Sequence, residues 1–294
     1  MLQTLLLLQL AVAAPADSLR ALQVSATRYE FATTSAMQGP EGTPVNATAR
    51  IRATLSGSML RYEVLSTPAL LKMDGMDSTI TLPLNNAYTL LLDNRMYVVD
   101  TLKHEYFETD MKALESGLSD AMIGLETVNF RVSDTKFDVQ EMGPGDRVMN
   151  HPTTRWHATG SFTIQMAAGP DSAGITLEEV SDYYYATDFS MPPMRMLQPD
   201  SAAVAGPFAA MLGEDYAKML LAGFAKLPKA TPVKTVTRMS MLMGMIDMVT
   251  TNTNELVSVE TLQLPASWFA IPKDFKRVEM PMPGIPKPGS AQNQ

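Results

Sequence analysis

The stretch Val45-Asn46-Ala47-Thr48-Ala49-Arg50-Ile51-Arg52-Ala53-Thr54-Leu55 decides the fold class. Its odd positions are apolar and its even positions are polar. A period of two sends alternate side chains to opposite sides of an extended chain, so the stretch predicts a strand with one buried and one wet face. Downstream the alternation returns over 155–166. Trp156, Ala158, Phe162, Ile164 and Met166 fall on one side, and Arg155, His157, Thr159, Ser161, Thr163 and Gln165 on the other. Similar runs cover 24–36, 59–65, 95–100, 128–139, 175–189, 233–249 and 256–264.

Turn-forming clusters stand between the runs: Gly39-Pro40-Glu41-Gly42, Gly143-Pro144-Gly145-Asp146, Gly169-Pro170-Asp171 and Thr251-Asn252-Thr253-Asn254. Each predicts a reversal of the chain. Connections this short exclude helical crossovers and predict an antiparallel meander. Two segments carry helical spacing. In 110–125 the apolar residues Met111, Leu114, Leu118 and Met122 recur at three and four, behind Asp110 as a cap. In 199–224, Val204, Phe208, Met211, Leu212, Met219 and Leu220 form one broad face. The expectation is an α+β, β-rich fold: a large curved antiparallel sheet, an unclosed half-barrel, with a few helices packed on its concave face. An elongated apolar cavity would lie between them.

Composition narrows the function. The chain has 294 residues, 31 acidic against 23 basic, and a net charge of -8. Phosphate-tracking surfaces need basic excess, so nucleic acid is excluded as a partner. There is no cysteine, which removes disulfides, thiolate metal sites and a cysteine nucleophile. Residues 1–16 read as a signal peptide: an apolar run from Leu2 to Ala14, with two small-x-small cleavage patterns, Ala11-Val12-Ala13 and Ala14-Pro15-Ala16. The expected location is therefore the periplasm or the cell exterior. No segment is long and apolar enough to span a membrane as a helix. Residues 17–278 are expected to form a single domain, and the Pro- and Gly-rich 279–294 a disordered tail.

Candidate sites are few. Met239, Met241, Met243 and Met245 alternate along one predicted strand, so their thioethers share a face. Such a stripe lines an adaptable apolar surface; it is also the soft ligand set that Cu(I) takes. Trp156 and Phe162 share the apolar side of their own strand and are expected to line the same ligand face. His104, His151 and His157 lack the spacing of a zinc helix. There is no serine-hydrolase elbow, phosphate loop or dinucleotide fingerprint. The chain is expected to be no enzyme, with no cofactor, no metal site and no catalytic residue.

Seven short segments together resemble a known group. They are Leu60-Arg61-Tyr62-Glu63-Val64, the run 95–100, Lys103-His104-Glu105-Tyr106-Phe107, Gly143-Pro144-Gly145-Asp146, His151-Pro152-Thr153, Thr231-Pro232-Val233-Lys234 and the closing 264–275. The closing run carries Pro265, Phe269 and Pro272 in a Pro-x-x-x-Phe-x-x-Pro pattern. In this order they resemble an uncharacterised family of exported bacterial proteins, distantly similar to the lipoprotein carriers LolA and LolB. The resemblance implies a half-barrel wrapped around helices and a pocket for acyl chains. The resulting expectation is a non-enzymatic periplasmic protein that binds a lipid or lipidated protein in that cavity. A methionine-rich copper-binding protein and a ligand-free structural or interaction protein of the envelope are the alternatives.

Overall fold

The computed structural model describes residues 22–38, 44–66, 86–110, 130–166, 173–194, 214–243 and 246–279. The alternating stretch 45–55 lies within strand β2 (Pro44–Ser56), between β1 (Gln23–Gln38) and β3 (Met59–Ser66). In register, Ala53 sits opposite Tyr29 and Tyr62, and Arg52 opposite Glu30 and Glu63. One face of β2 therefore packs, while the other carries ion pairs.

The chain continues through β4 (Ala87–Leu92), β5 (Arg95–Asp100) and β6 (Glu105–Asp110). It resumes at β7 (Phe130–Val148), β8 (His151–Met166) and β9 (Ala173–Ala186). Helix α1 (Glu214–Phe224) precedes β10 (Lys234–Met243), β11 (Ile246–Pro265) and the short β12 (Lys276–Arg277). All twelve strands form one sheet in the order β12-β6-β5-β4-β3-β2-β1-β11-β10-β9-β8-β7. It consists of two antiparallel meanders that meet where β1 pairs with β11. Only β12 runs parallel to its neighbour, β6.

Tight turns follow the side chains available. Asp93-Asn94 joins β4 to β5 and Met149-Asn150 joins β7 to β8, with φ of 46° and 65° in the first and 49° and 66° in the second. Left-handed backbone at both turn residues matches the twist of a two-residue hairpin, and Asn and Asp tolerate it best. After β5, the buried Asp100 carboxylate accepts bonds from the Leu102 and Lys103 amides, each at 3.0 Å. That bends the chain towards His104 and β6.

The half-barrel expectation is corrected here. The sheet is open, with β12 and β7 at opposite ends, and it is neither closed nor strongly curled. Among the described residues there is one α-helix rather than several packed on a concave face. Of the expected helix 199–224 only α1 is described. The expected helix 110–125 falls outside the described residues, apart from Asp110 at the end of β6. The physical reason lies in the distribution of apolar side chains. Tyr183 and Tyr185 pack with Val139, Ala158 and Leu227 on one side of β9. Tyr184 packs on the other, with Val148, Met191, Met194 and Val233. A sheet that buries residues on both faces has no single core to curl around.

A strap leaves the centre of the sheet after β11. It begins with a 3-10 turn (Ala266–Phe269) and runs to β12 at the far edge. On the way Ile271 and Phe275 cover a cluster of Tyr88, Leu90 and Val99. Trp268 stacks on Arg61, whose guanidinium lies 4.1 Å from the indole centroid and 3.6 Å from that of Tyr88. Arg61 also donates to the Trp268 carbonyl and to Glu63, both at 3.0 Å.

Candidate functional site

Helix α1 presents Tyr216, Leu220 and Phe224 at intervals of four, so they share one face. That face packs on the β7–β8 end of the sheet. Tyr216 and Leu220 are buried against Val132, Phe137, Phe162 and Met219. The rings meet in tilted pairs: Phe137 with Phe224 at 4.9 Å between centroids, and Phe162 with Tyr216 at 5.7 Å. Tilted contacts are the arrangement that ring quadrupoles favour.

Below the helix the register sets side chains in rows. Phe137, Gly160, Glu179 and Met239 are direct neighbours across β7, β8, β9 and β10. Phe162, Leu177 and Met241 form a second row. Two glycines let the helix come this close. A Cβ on Gly160 would stand 3.2 Å from the Phe137 ring, and one on Gly223 of α1 would run into the same ring. The missing side chain at Gly160 leaves a groove of about 230 Å³, lined by Phe137, Phe162, Leu177, Glu179, Tyr216 and Met239 among others.

Glu178 and Glu179, both exposed, are the charged groups at this groove, and Glu179 is oriented. The fully buried Ser181 hydroxyl lies 2.9 Å from Glu179 Oε1, to which it donates, and 2.9 Å from Thr237 Oγ1. Burial, and after it the negative charge of Glu179, pushes the Tyr216 hydroxyl up from 10.0 to about 12. Burial also pushes Tyr183 up to about 12, with Ser181 opposing the shift and Glu179 adding to it. The carboxylate therefore acts electrostatically on one tyrosine of the helix, Tyr216, and one of the sheet, Tyr183.

The residues expected to line one ligand face are distributed as follows. Phe162 and Met239 line this groove, and Met239 is 40% exposed. Met241 shares their face and is half-buried. Met243 closes β10, with nothing described of its side chain, and Met245 is outside the described residues. Trp156 lies six positions from Phe162 on the same strand, about 20 Å at strand spacing. It borders a separate open hollow of about 300 Å³ with Tyr185, Phe189 and Met191. The sequence reading missed Phe137, Gly160, Tyr216, Gly223 and Phe224, and it takes Glu178 and Glu179 as solvated charges of a polar patch. The four-residue spacing of Tyr216, Leu220 and Phe224 was the available signal.

The lipid-carrier expectation is corrected with the fold. Its cavity required a curled sheet, and the sheet is not curled. Both hollows are open; the one beside Trp156, at about 300 Å³, reaches the low end of ligand-pocket volumes, roughly 300–1,000 Å³, and the groove, at about 230 Å³, falls below it.

Each histidine sits beside an aspartate. His157 and His151 lie 2.8 Å from Asp182 and Asp188, and His104 lies 3.5 Å from Asp274. Asp182 also takes the Arg155 guanidinium, at 2.9 and 3.1 Å. Among the described residues no three His, Asp or Glu side chains gather as a metal site would require. No helix among them is long and apolar enough to cross a membrane.

No family model matches the chain, and no curated protein matches it. Among solved structures it is similar to an uncharacterised conserved protein from Thermus thermophilus, at 11% identity and a TM-score of 0.31, covering 85% of this chain and 90% of that one. A LolA superfamily protein from Nitrosomonas europaea follows at 9% identity and 0.25, covering 88% and 98%. A protein from Desulfovibrio piger, of a domain-of-unknown-function family, stands at 8% and 0.24, covering 86% and 92%. The chain thus has a distant, low-identity structural similarity to the LolA superfamily and related uncharacterised proteins. Likeness at these scores carries no argument about ligand or activity.

Proposed function

We propose that the chain is a non-enzymatic binding protein of the bacterial envelope, and that its ligand site is the groove between α1 and strands β7–β10. The groove carries this reading. Aromatic rings wall it, a thioether at Met239 borders it, and two carboxylates line it, Glu178 and the Ser181-bound Glu179. An apolar concavity with a few placed polar groups is the usual composition of a small-ligand site. Glu179 accepts from Ser181, whose hydroxyl is itself bonded to Thr237, and this orients the carboxylate as a recognition element. The envelope location rests on the apolar leader at 2–14 and its small-residue cleavage pattern.

Methionine methyl groups provide the test, because Met219 and Met239 stand at the groove while Met191 and Met194 are buried in a separate cluster. Methyl-labelled protein would be titrated with a small-molecule extract of the host envelope and followed by NMR. Shifts at Met239 and Met219, with Met191 and Met194 unmoved, are the expected result. Shifts centred on Met191 would move the site to the hollow beside Trp156. No shift at any methyl would sink the reading.

A further inference from the structure

We infer that the groove takes a methylated ammonium group, carried by a small soluble cation of the choline or betaine type. The inference rests on the groove reading above and names its ligand class. Three observations on the same few residues converge.

The walls are aromatic on both sides of the gap. Phe137 and Phe162 rise from the sheet and Tyr216 descends from the helix. The faces of such rings are negative and attract a cation whose methyl groups can also lie in van der Waals contact with them. Next, the gap has an anionic rim, the exposed carboxylates of Glu178 and Glu179, of which Glu179 is the one held by a hydrogen bond. Gly160 and Glu179 are direct cross-strand partners, so the carboxylate borders the space that the absent side chain leaves open. Ser181 holds one oxygen of Glu179, and no cation among the described residues pairs with the carboxylate. A carboxylate left without a counter-charge beside aromatic rings is complementary to an organic cation. Finally, the size is restrictive. At about 230 Å³ the groove lies below the range for drug-sized ligands and suits a compact head group. A primary ammonium ion is strongly hydrated and would lose that water on entering. A trimethylammonium group spreads its charge over methyl groups and gives up less hydration, which favours the methylated form.

Calorimetric titration of the full chain with choline, tetramethylammonium and the neutral isostere 3,3-dimethylbutan-1-ol tests this. Choline and tetramethylammonium should bind at least tenfold more tightly than the isostere. Glu179→Gln should weaken choline about tenfold and leave the isostere unchanged, which also shows that the variant is folded. Equal affinity for choline and the isostere would overturn the cation assignment while leaving the groove reading in place. If neither compound binds, the ammonium assignment falls, and the methyl titration with envelope extract decides the groove reading separately. Co-sedimentation of the chain with phosphatidylcholine vesicles would overturn the soluble source of the ammonium group.

Discussion

Thr231 illustrates how single side chains tie this sheet to its loops. It is 2% exposed, donates to the Pro192 carbonyl at 2.7 Å and accepts from the Met194 amide at 2.8 Å. These two bonds hold the segment after β9 against the entry to β10. Thr231→Val keeps the shape but leaves a buried N–H and a buried carbonyl without that partner. Each unsatisfied buried group costs roughly 1–3 kcal/mol, so the variant should lose about 2 kcal/mol in denaturant unfolding. The tyrosines give a second residue-scale expectation. Burial holds Tyr183 and Tyr216 protonated up to about 12, against 10.0 for the free side chain. A folded-state pKa raised above the unfolded value gives stability that is complete below pH 10 and fades as pH rises towards about 12. Alkaline titration should therefore show the tyrosinate absorbance of these residues rising together with loss of ellipticity. A tyrosinate signal that saturates near pH 10 in a still folded chain would refute it.

At the scale of elements, α1 is held by close approach more than by length. It has eleven residues, marginal for a free helix, and Gly223 brings it down onto the Phe137 ring. Gly223→Ala would gain about 1 kcal/mol in helix propensity. The added methyl group would collide with the ring, and overpacking of this kind costs typically 1–3 kcal/mol. The net effect should be destabilisation and the loss of Met239 methyl shifts on ligand addition, both measurable on one labelled sample. Strand positions were the most legible part of the sequence. The run 95–100 is β5 itself, and 24–36, 45–55 and 59–65 lie within β1, β2 and β3. Turn chemistry was the misleading part. Gly143-Pro144-Gly145-Asp146 does not reverse the chain: β7 runs through it with bulges, and the reversal comes at Met149-Asn150. Thr251-Asn252-Thr253-Asn254 lies inside β11, where Asn252 and Asn254 accept bonds from Ser35 and Thr33 of β1 at 2.6 and 3.0 Å. Their side chains serve a cross-strand polar ladder instead of a turn, a use that local composition does not distinguish. Two strands also hid in one run, since 233–249 covers β10 and the start of β11. The site was less legible still. Glu179, Gly160 and Phe137 become neighbours only through register between three strands, and register is not written in any one of them.

For the whole molecule, the strap from Ala266 to β12 closes one end of the sheet. A chain ended after Pro265 would keep β1 to β11 but lose Trp268 from Arg61 and uncover Tyr88, Leu90 and Val99. Hydrogen exchange should then show amides of β4, β5 and β6 losing protection while those of β8 and β9 keep theirs. Uniform loss across the sheet would mean that the two meanders do not hold separately. Their arrangement also bears on time. Apart from β12, neighbours within each meander are consecutive strands of the chain, whereas the β1–β11 seam joins distant residues, Thr33 to Asn254 across 221 positions among them. Hairpins between sequence neighbours form quickly, while distant pairings wait on loop closure. Until β11 is available, β1 offers a bare edge of sixteen residues to any passing strand. A chain delivered from its first residue onwards, at a ribosome or through a membrane pore, would therefore depend on something to shield that edge until β11, which begins at Ile246, arrives. The period of greatest danger for this protein is its own birth, and a chaperone that recognises extended chain is the helper its topology calls for.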